Sequence, residues 1–306
     1  MDVTSLRSFI KVAEIGSITH AAELLHQAQP SLTRRIHGLE EDLGVKLFAR
    51  VNRGVRLTEA GERLLEGAVR ILQEIDHLRD DVAAKEIVPR GTVVLGITPT
   101  LCPVILPKLI TAVAAFPQID LKIEQRGSLA LPESILNGQI DLGVLADMTK
   151  NRLLDRTEVA REEMVLVTGA RFAGIEGEIV DWRTLSSLPL MLTHTIRLIM
   201  QKLMASKAAH LNIQAEINSL EALRVLVQEN HCATILPYSF CRREYLMGLF
   251  RVHRILDDNM QRRLVIATAR SRQKAPAVTR IAALCSDIFS DLDAQGMFKN
   301  EVQAAK

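Results

Sequence analysis

Between Ser17 and Asp42 the sequence allows two short helices with very little chain to join them. Ser17 is a good N-cap, with a side-chain oxygen ready for the backbone donors just ahead of Ile18–Leu25. Ala21, Ala22, Leu24 and Leu25 make that helix small and apolar enough to pack closely on a neighbour. After the polar connection His26-Gln27-Ala28-Gln29, Pro30 stands where a first helical turn tolerates a missing N–H. A second helix is expected from there to about Asp42. Leu32, Ile36, Leu39 and Leu43 recur at spacings of four, three and four, giving it one buried stripe.

Stepping about 100° per residue puts Pro30, Arg34 and Glu41 opposite that stripe. Ser31 and His37 lie beside them, with Thr33 and Arg35 on the flanks and Gln29 just ahead of the helix as a further DNA-binding candidate, while Glu40, Glu41 and Asp42 crowd the far end. A helix that enters the major groove N-terminus first needs this polarity, with donors leading and acids behind. Arg34 or Arg35 could fork onto a guanine edge, and Ser31 and Thr33 could reach bases or phosphate. An ordinary amphipathic surface helix would show the same stripe. The next segment decides between the two readings.

Leu47-Phe48-Ala49-Arg50 closes an apolar anchor, and Val51–Thr58 reads as two short strands around a tight Asn/Gly turn. Arg50, Arg53 and Arg56 would line that hairpin as a wing on the phosphate backbone. The formal net charge of the chain is only +2, so affinity for a polyanion has to come from local clustering of this kind.

These residues resemble a known family. Phe9, Ala13, Gly16-Ser17, Ala21-Ala22, Leu25, Gln29-Pro30-Ser31, Ile36, Leu39-Glu40, Leu43-Gly44, Leu47-Phe48, Arg50 and Leu57-Thr58-Glu59-Ala60-Gly61 match, without a gap, the N-terminal signature of LysR-type transcriptional regulators. The resemblance implies an N-terminal, mainly α-helical winged helix-turn-helix, a long linker helix, and a two-lobed α/β effector domain similar to periplasmic binding proteins. It also implies double-stranded operator DNA, a small-molecule inducer and further copies of the chain as partners, in a dimer or tetramer. RNA polymerase is a further partner such a regulator could contact.

From Glu59 the pattern becomes a heptad seam. Leu64, Ala68, Ile71, Ile75, Leu78 and Val82 recur on one face of a charged helix expected over 59–86, roughly 40 Å long at 1.5 Å per residue. One apolar seam on a long charged helix asks for a partner helix. Two reading heads on a two-fold axis would then meet successive major grooves about 34 Å apart. The expected division is 1–58 for DNA binding, 59–88 for the linker helix and 89–306 for the effector domain, with a hinge at Val88-Pro89-Arg90-Gly91.

Beyond the hinge, strands and helices alternate, which predicts an α/β domain with a mostly parallel sheet. Strands are expected at Thr92–Ile97, Ile119–Glu124, Ile140–Leu145, Met164–Thr168, Leu190–Thr193, Thr234–Pro237 and Leu264–Thr268. Helices are expected at Val104–Phe116, Leu129–Asn137, Ile196–His210, Leu220–Asn230 and Pro276–Leu292. Two crossovers, near 162 and 268, would divide the domain into lobe I (about 91–162 and 268–292) and lobe II (about 163–267). GITPTLCPVILPKL, ILNGQIDLGVL, REEMVLVTG, SLEALRVLV and ATILP are similar to the LysR-type effector domain. Asn230-His231-Cys232 replaces the glycines usual in that family; Asn230 can still take a left-handed turn. The tail from Asp293 is polar and expected to fray.

Ligands of open α/β sheets bind beyond the carboxyl ends of the strands. That points to the loop Thr98, Thr100, Leu101, Cys102, to Gly127-Ser128, to Thr193, His194, Thr195 and Arg197, and to the turn near Ser219. Arg126, His194 and Arg197 could add positive charge, and backbone N–H groups at the start of the 103–116 helix would favour an anion. A small carboxylate is the expected ligand chemistry. The resemblance implies the same cleft, near Thr98, Thr100 and Ser128.

No hydrolase, zinc-protease, phosphate-loop or Cys-x-x-Cys motif occurs, and the eight histidines show no metal-ligand spacing. Neither an enzyme nor a cofactor is expected. Cys102 beside a helix N-terminus is the one thiol a redox reading could use. Unpaired cysteine spacing and the absence of a signal-like start imply a cytoplasmic chain, and no run is long enough to cross a bilayer.

Overall fold

The computed structural model describes residues 1–51, 54–83, 89–148, 151–205, 210–270 and 276–300. Arg53 and Val88 therefore lie outside the described residues, as do the side chains of Leu78 and Val82. Two compact units divide the chain, Met1–Gly91 on one side and Thr92–Leu136 with the described residues from Ile140 on the other.

The first unit runs α1 (Val3–Ile15), α2 (Ile18–Leu24), α3 (Gln29–Leu43), β1 (Phe48–Arg50), β2 (Val55–Leu57) and α4 (Glu59–Ala83). Ser17 caps α2 as its sequence implies, accepting from His20 N at 3.4 Å. Leu6, Phe9, Val12, Ala21, Ala22, Leu32, Ile36 and Leu39 form the core between the three helices. Leu43 does not complete the stripe; it is 39% exposed, because α3 ends at a left-handed Gly44 and its last turn projects past the core.

The hairpin starts earlier than expected. β1 is Phe48–Arg50, not the segment after Val51, and it pairs antiparallel with β2 in the register Phe48↔Leu57, Ala49↔Arg56, Arg50↔Val55. Phe48 is drawn inward, its ring 5.2 Å from that of Phe9. Gly54 lets the turn close against the α1–α2 corner. Its φ is +91°, a Cβ there would collide with Gly16 O, and Val55 N donates to that same oxygen at 2.8 Å.

Glu40 is buried and is not one of a solvated acidic group at the end of α3. Its carboxylate accepts from Leu47 N at 2.9 Å, Phe48 N at 3.3 Å and Lys46 Nζ at 2.6 Å. This ties the end of α3 to the first residues of the hairpin. The linker seam is also partly internal. Ala68 is fully buried in this unit's own core and Leu64 packs against it, so the surface left for another helix begins at Ile71, 39% exposed, and half-buried Ile75.

The second unit holds β3 (Gly91–Ile97), α5 (Cys102–Val113), β4 (Ile119–Gln125), α6 (Leu131–Leu136), β5 (Leu142–Ala146), β6 (Leu154–Gly169) and β7 (Ile179–Val180). There follow α7 (Trp182–Ser187), β8 (Leu190–Leu192), α8 (His194–Ala205), β9 (Ile213–Glu216), α9 (Leu220–Gln228), β10 (Thr234–Pro237), α10 (Tyr238–Leu246), β11 (Phe250–Ile255), β12 (Gln261–Ala269) and α11 (Pro276–Ala294). The sheet order is β4-β3-β5-β12-β6-β11-β7, with β10 also on β6.

β6 is the frame of both lobes. Its first half pairs with β12 in lobe I and its second half pairs with β10 and β11 in lobe II. The expected mostly parallel sheet is corrected by this arrangement. β3 and β5 are parallel, but β12 runs antiparallel to both β5 and β6, since the chain that leaves lobe I on one strand comes back on its neighbour. The return falls before Gln261, earlier than the crossover expected near 268, because β12 already belongs to lobe I.

Each lobe has its own core. Val93, Leu95, Ile105, Leu109, Ile281 and Phe289 are at the centre of lobe I. In lobe II, Leu166, Leu190 and Ile235 pack on one face of the sheet, and Val165, Val167, Leu223 and Leu236 on the other. Asn230 is left-handed at φ +63°, and its Oδ1 accepts from Arg171 N at 2.9 Å. The tail is not frayed as far as Asn300. Phe298 is fully buried and stacks on Phe289 at 5.6 Å, and its carbonyl accepts from Glu163 N at 3.0 Å. Among the described residues, no helix is long and apolar enough to cross a membrane.

Burial alone would raise the Glu40 pKa, but its Lys46, Leu47 and Phe48 donors hold it below the usual value of 4.5. The stability it contributes is therefore present above that value and lost as pH falls through the lower, folded one. Glu40→Gln should cost about 1 kcal/mol at neutral pH, the difference between charged and neutral hydrogen bonds. It should also flatten the acid limb of a pH series of denaturation curves.

Candidate functional site

The outer face of α3 carries Gln29, Pro30 and Arg34 exposed, with Ser31, Thr33 and Arg35 half-buried. The two arginines differ. Arg35 Nη1 donates to Ser8 Oγ at 3.0 Å and to Gln27 Oε1 at 2.8 Å, which anchors α3 to α1 and to the α2–α3 connection. Among the described residues Arg34 reaches only Pro30 O, at 3.4 Å, and it is exposed. Gln29 Nε2 donates to Thr33 Oγ1 at 2.9 Å, so the first turn offers a braced polar surface.

The acids at the far end are answered locally: Asp42 pairs with the Met1 amino group at 2.5 Å and Glu41 with His37 at 3.3 Å. On the wing, Arg50 and Arg56 are exposed but lie in adjacent cross-strand pairs, hence on opposite faces of the hairpin. Arg56 shares the outer face with Ala49. Arg50 stands at the end of the face that carries Phe48 and Leu57.

In the second unit, a cavity of about 270 Å³ opens between the lobes. Lobe I contributes Thr98, Thr100 and Ser128; lobe II contributes Thr193, Thr195, Asn218 and an apolar wall of Ile196, Leu220, Leu236 and Pro237. Five of the expected residues thus meet. Three do not. Leu101 and Cys102 are buried in the lobe I core, and His194 turns to Glu216 at 3.0 Å.

The expected sources of positive charge are also occupied. Arg126 pairs with Glu124 at 2.8 Å and Arg197 with Glu216 at 3.2 Å. At the start of α5, Leu101 N and Cys102 N both donate to Thr98 O, and Pro103 has no N–H, so that helix end does not offer the anion site expected of it.

The charge in the cavity comes from a residue the sequence reading missed. Arg262, on β12, lines the cavity and donates from Nη2 to Thr100 Oγ1 at 3.0 Å. It stands directly across from Glu162 of β6 and pairs with it, Nε to Oε2 at 2.8 Å. Glu162 is fully buried and also accepts from Ser239 N at 3.0 Å and from Ser239 Oγ. The signal was available: Arg262, Leu264 and Ile266 alternate along one strand, so an arginine continues a core-facing series.

One buried hydroxyl stands out. Thr98 is 3% exposed, lines the cavity, and its Oγ1 has no hydrogen-bond partner among the described residues. Cys102 does not support a redox role, since burial pushes its thiol pKa up, opposite to the effect of a helix N-terminus. Cys232 and Cys285 are likewise raised by burial, to about 11 and about 12. Among the described residues no group of three His, Cys, Asp or Glu side chains could hold a metal ion.

Residues 3–62 match the family described as bacterial regulatory helix-turn-helix protein, lysR family, and residues 87–290 match the LysR substrate binding domain. The chain belongs to the LysR family. The HTH-type transcriptional regulator YofA of Bacillus velezensis is 32% identical over 243 residues, 79% of this chain and 83% of that one. The uncharacterized HTH-type regulator YbhD of Escherichia coli is 28% identical over 306 residues, 99% and 96% of the two chains.

Among solved structures, full-length CbnR complexed with its target DNA has a TM-score of 0.71 at 23% identity, covering 94% of this chain and 100% of that one. A full-length OxyR variant from Pseudomonas aeruginosa has a TM-score of 0.70 at 24% identity, covering 94% of each. These likenesses carry the fold. This LysR protein is a DNA-binding transcriptional regulator with a substrate-binding domain, and not an enzyme.

An unpaired buried hydroxyl costs stability until something binds it. Thr98→Val should therefore leave the ligand-free protein as stable as the parent, or up to about 1 kcal/mol more stable. Thermal unfolding without ligand checks this, and a large loss would show that the hydroxyl is already satisfied.

Proposed function

We propose that α3 reads operator bases through its N-terminal turns while the wing holds phosphate, and that a small organic anion in the interlobe cavity controls the response. The observation that supports the DNA reading is the outward, weakly tied Arg34 on a face otherwise made of Gln29, Pro30, Ser31 and Thr33. Arg35 acts differently in this reading. Its two internal bonds make it a brace, with a phosphate contact at most. For the ligand, support comes from the hydroxyl-lined cavity around Thr98, Thr100, Ser128, Thr193 and Thr195, with Arg262 beside them.

A second copy of the chain is the partner proposed for α4. Exposed Ile71 and half-buried Ile75 lead a seam whose earlier members, Leu64 and Ala68, serve the head itself. Pairing there gives a dimer, and two dimers a tetramer, whose contact with RNA polymerase would be the route to transcription. A ligand shifts such an assembly only by preferring one arrangement over another.

Selection of duplexes followed by binding titration tests the DNA reading. Arg34→Ala should erode discrimination at one base position by about 1–3 kcal/mol. Arg56→Ala should weaken all sequences alike and reduce the slope of log K against log salt by about 1. An Arg34→Ala protein as selective as the parent would contradict the assignment. For the oligomer, Ile71→Glu should shift sedimentation toward the monomer; an unchanged dimer would remove the seam from the account.

A further inference from the structure

Among the described residues the cavity has one ionisable side chain in its lining, Arg262, and the way that side chain is held says what it can take. Its Nε and Nη2 are committed, to Glu162 at 2.8 and 2.7 Å and to Thr100 Oγ1 at 3.0 Å. Its Nη1 has no partner among the described residues. The guanidinium is thus fixed in place with its Nη1 amino group unfilled, and little solvent screens it, since the side chain is 11% exposed. Beside it, Thr98 Oγ1 is buried without a partner among the described residues, and the Thr100 hydroxyl, accepting from Arg262, keeps its own proton to donate.

Unused capacity in this cavity is therefore mostly donor capacity, which selects a ligand that accepts. Resting on the reading of the cavity as the ligand site, we propose that Arg262 is its anion subsite and takes a single carboxylate together with the Thr98 and Thr100 hydroxyls. One charge fits and two do not. Glu162 already offsets most of Arg262, and the nearby Arg126 and Arg197 are spent on Glu124 and Glu216. Leu220, Leu236 and Ile196 leave an apolar wall for a short hydrocarbon body.

The subsite also sits on the connection between the lobes. Glu162 and Arg262 stand on the two crossover strands, and Glu162 grips Ser239 at the start of α10 in lobe II. An anion that pulls on Arg262 acts on that tie directly.

A purely structural Arg262 would affect stability without caring about ligand charge, so the test compares carboxylates with their neutral amides. Full-length protein is unfolded thermally with acetate and acetamide, propionate and propionamide, and benzoate and benzamide, at matched ionic strength. Arg262→Gln strands a buried carboxylate and could unfold the domain, so the variant used is Glu162→Gln with Arg262→Gln, beside Thr98→Val. We expect at least one carboxylate to raise the parent's Tm above its amide. That preference should fall about 10- to 100-fold in apparent affinity in the double variant, the range for losing a hydrogen bond to a charged group, and fall also in Thr98→Val. A carboxylate preference undiminished in the double variant but lost in Thr98→Val overturns the Arg262 assignment and leaves the cavity reading standing. Amides that match their carboxylates in the parent also overturn it. Carboxylate binding indifferent to both changes, or no binding by any probe, removes both readings.

Discussion

Glu162 can be buried only because four donors converge on it, two from Arg262 and two from Ser239. An isolated carboxylate at that depth would be prohibitive, and even a buried pair gives little net stability after desolvation. What the arrangement supplies is position. Both strands that pass between the lobes are held side by side at one register, and the first turn of α10 is held against them. The walls of the cavity follow from that. Thr98 and Ser128 approach from lobe I, Thr193 and Thr195 from lobe II, and Arg262 stands at the boundary.

The first unit uses the same device at smaller scale. Glu40 satisfies two backbone N–H groups of the wing and draws Lys46 alongside, which sets where α3 ends relative to the hairpin. Arg35, bonded to Ser8 and Gln27, sets how α3 sits on the helices behind it. Charged residues that look from their spacing like parts of an exposed surface are thus used inward, and the outward surface is left to fewer groups.

That explains which features sequence reasoning could recover. Ser17, Pro30 and the Leu32–Ile36–Leu39 stripe identify the helices because caps and periodicity act within a few residues. The strands with continuous apolar runs, such as Val93–Ile97 and Leu142–Leu145, show for the same reason. The first half of β6, with its Asp155-Arg156-Thr157-Glu158 stretch, has no such run and was expected only from Met164. Its strand character comes from pairing with β12, a hundred residues away. The alternation of Arg262 with Leu264 and Ile266 is local and legible, but the pairing with Glu162 that fixes Arg262 at the cavity is remote in sequence. The cavity's hydroxyls were readable from loop position, whereas Leu101, Cys102 and His194 in the same loops turn to the core or to Glu216. Ala68 shows the reverse case: a true heptad position, taken by the chain's own head before any partner could use it.

The most direct measurement of the central claim is a structure of the full-length chain on a duplex that it selects itself. The first two turns of α3 should lie inside a major groove, with the Arg34 guanidinium at a base edge and Arg56 against phosphate. Duplex bound elsewhere on the chain, with the Gln29–Arg34 face left in solvent, would contradict it.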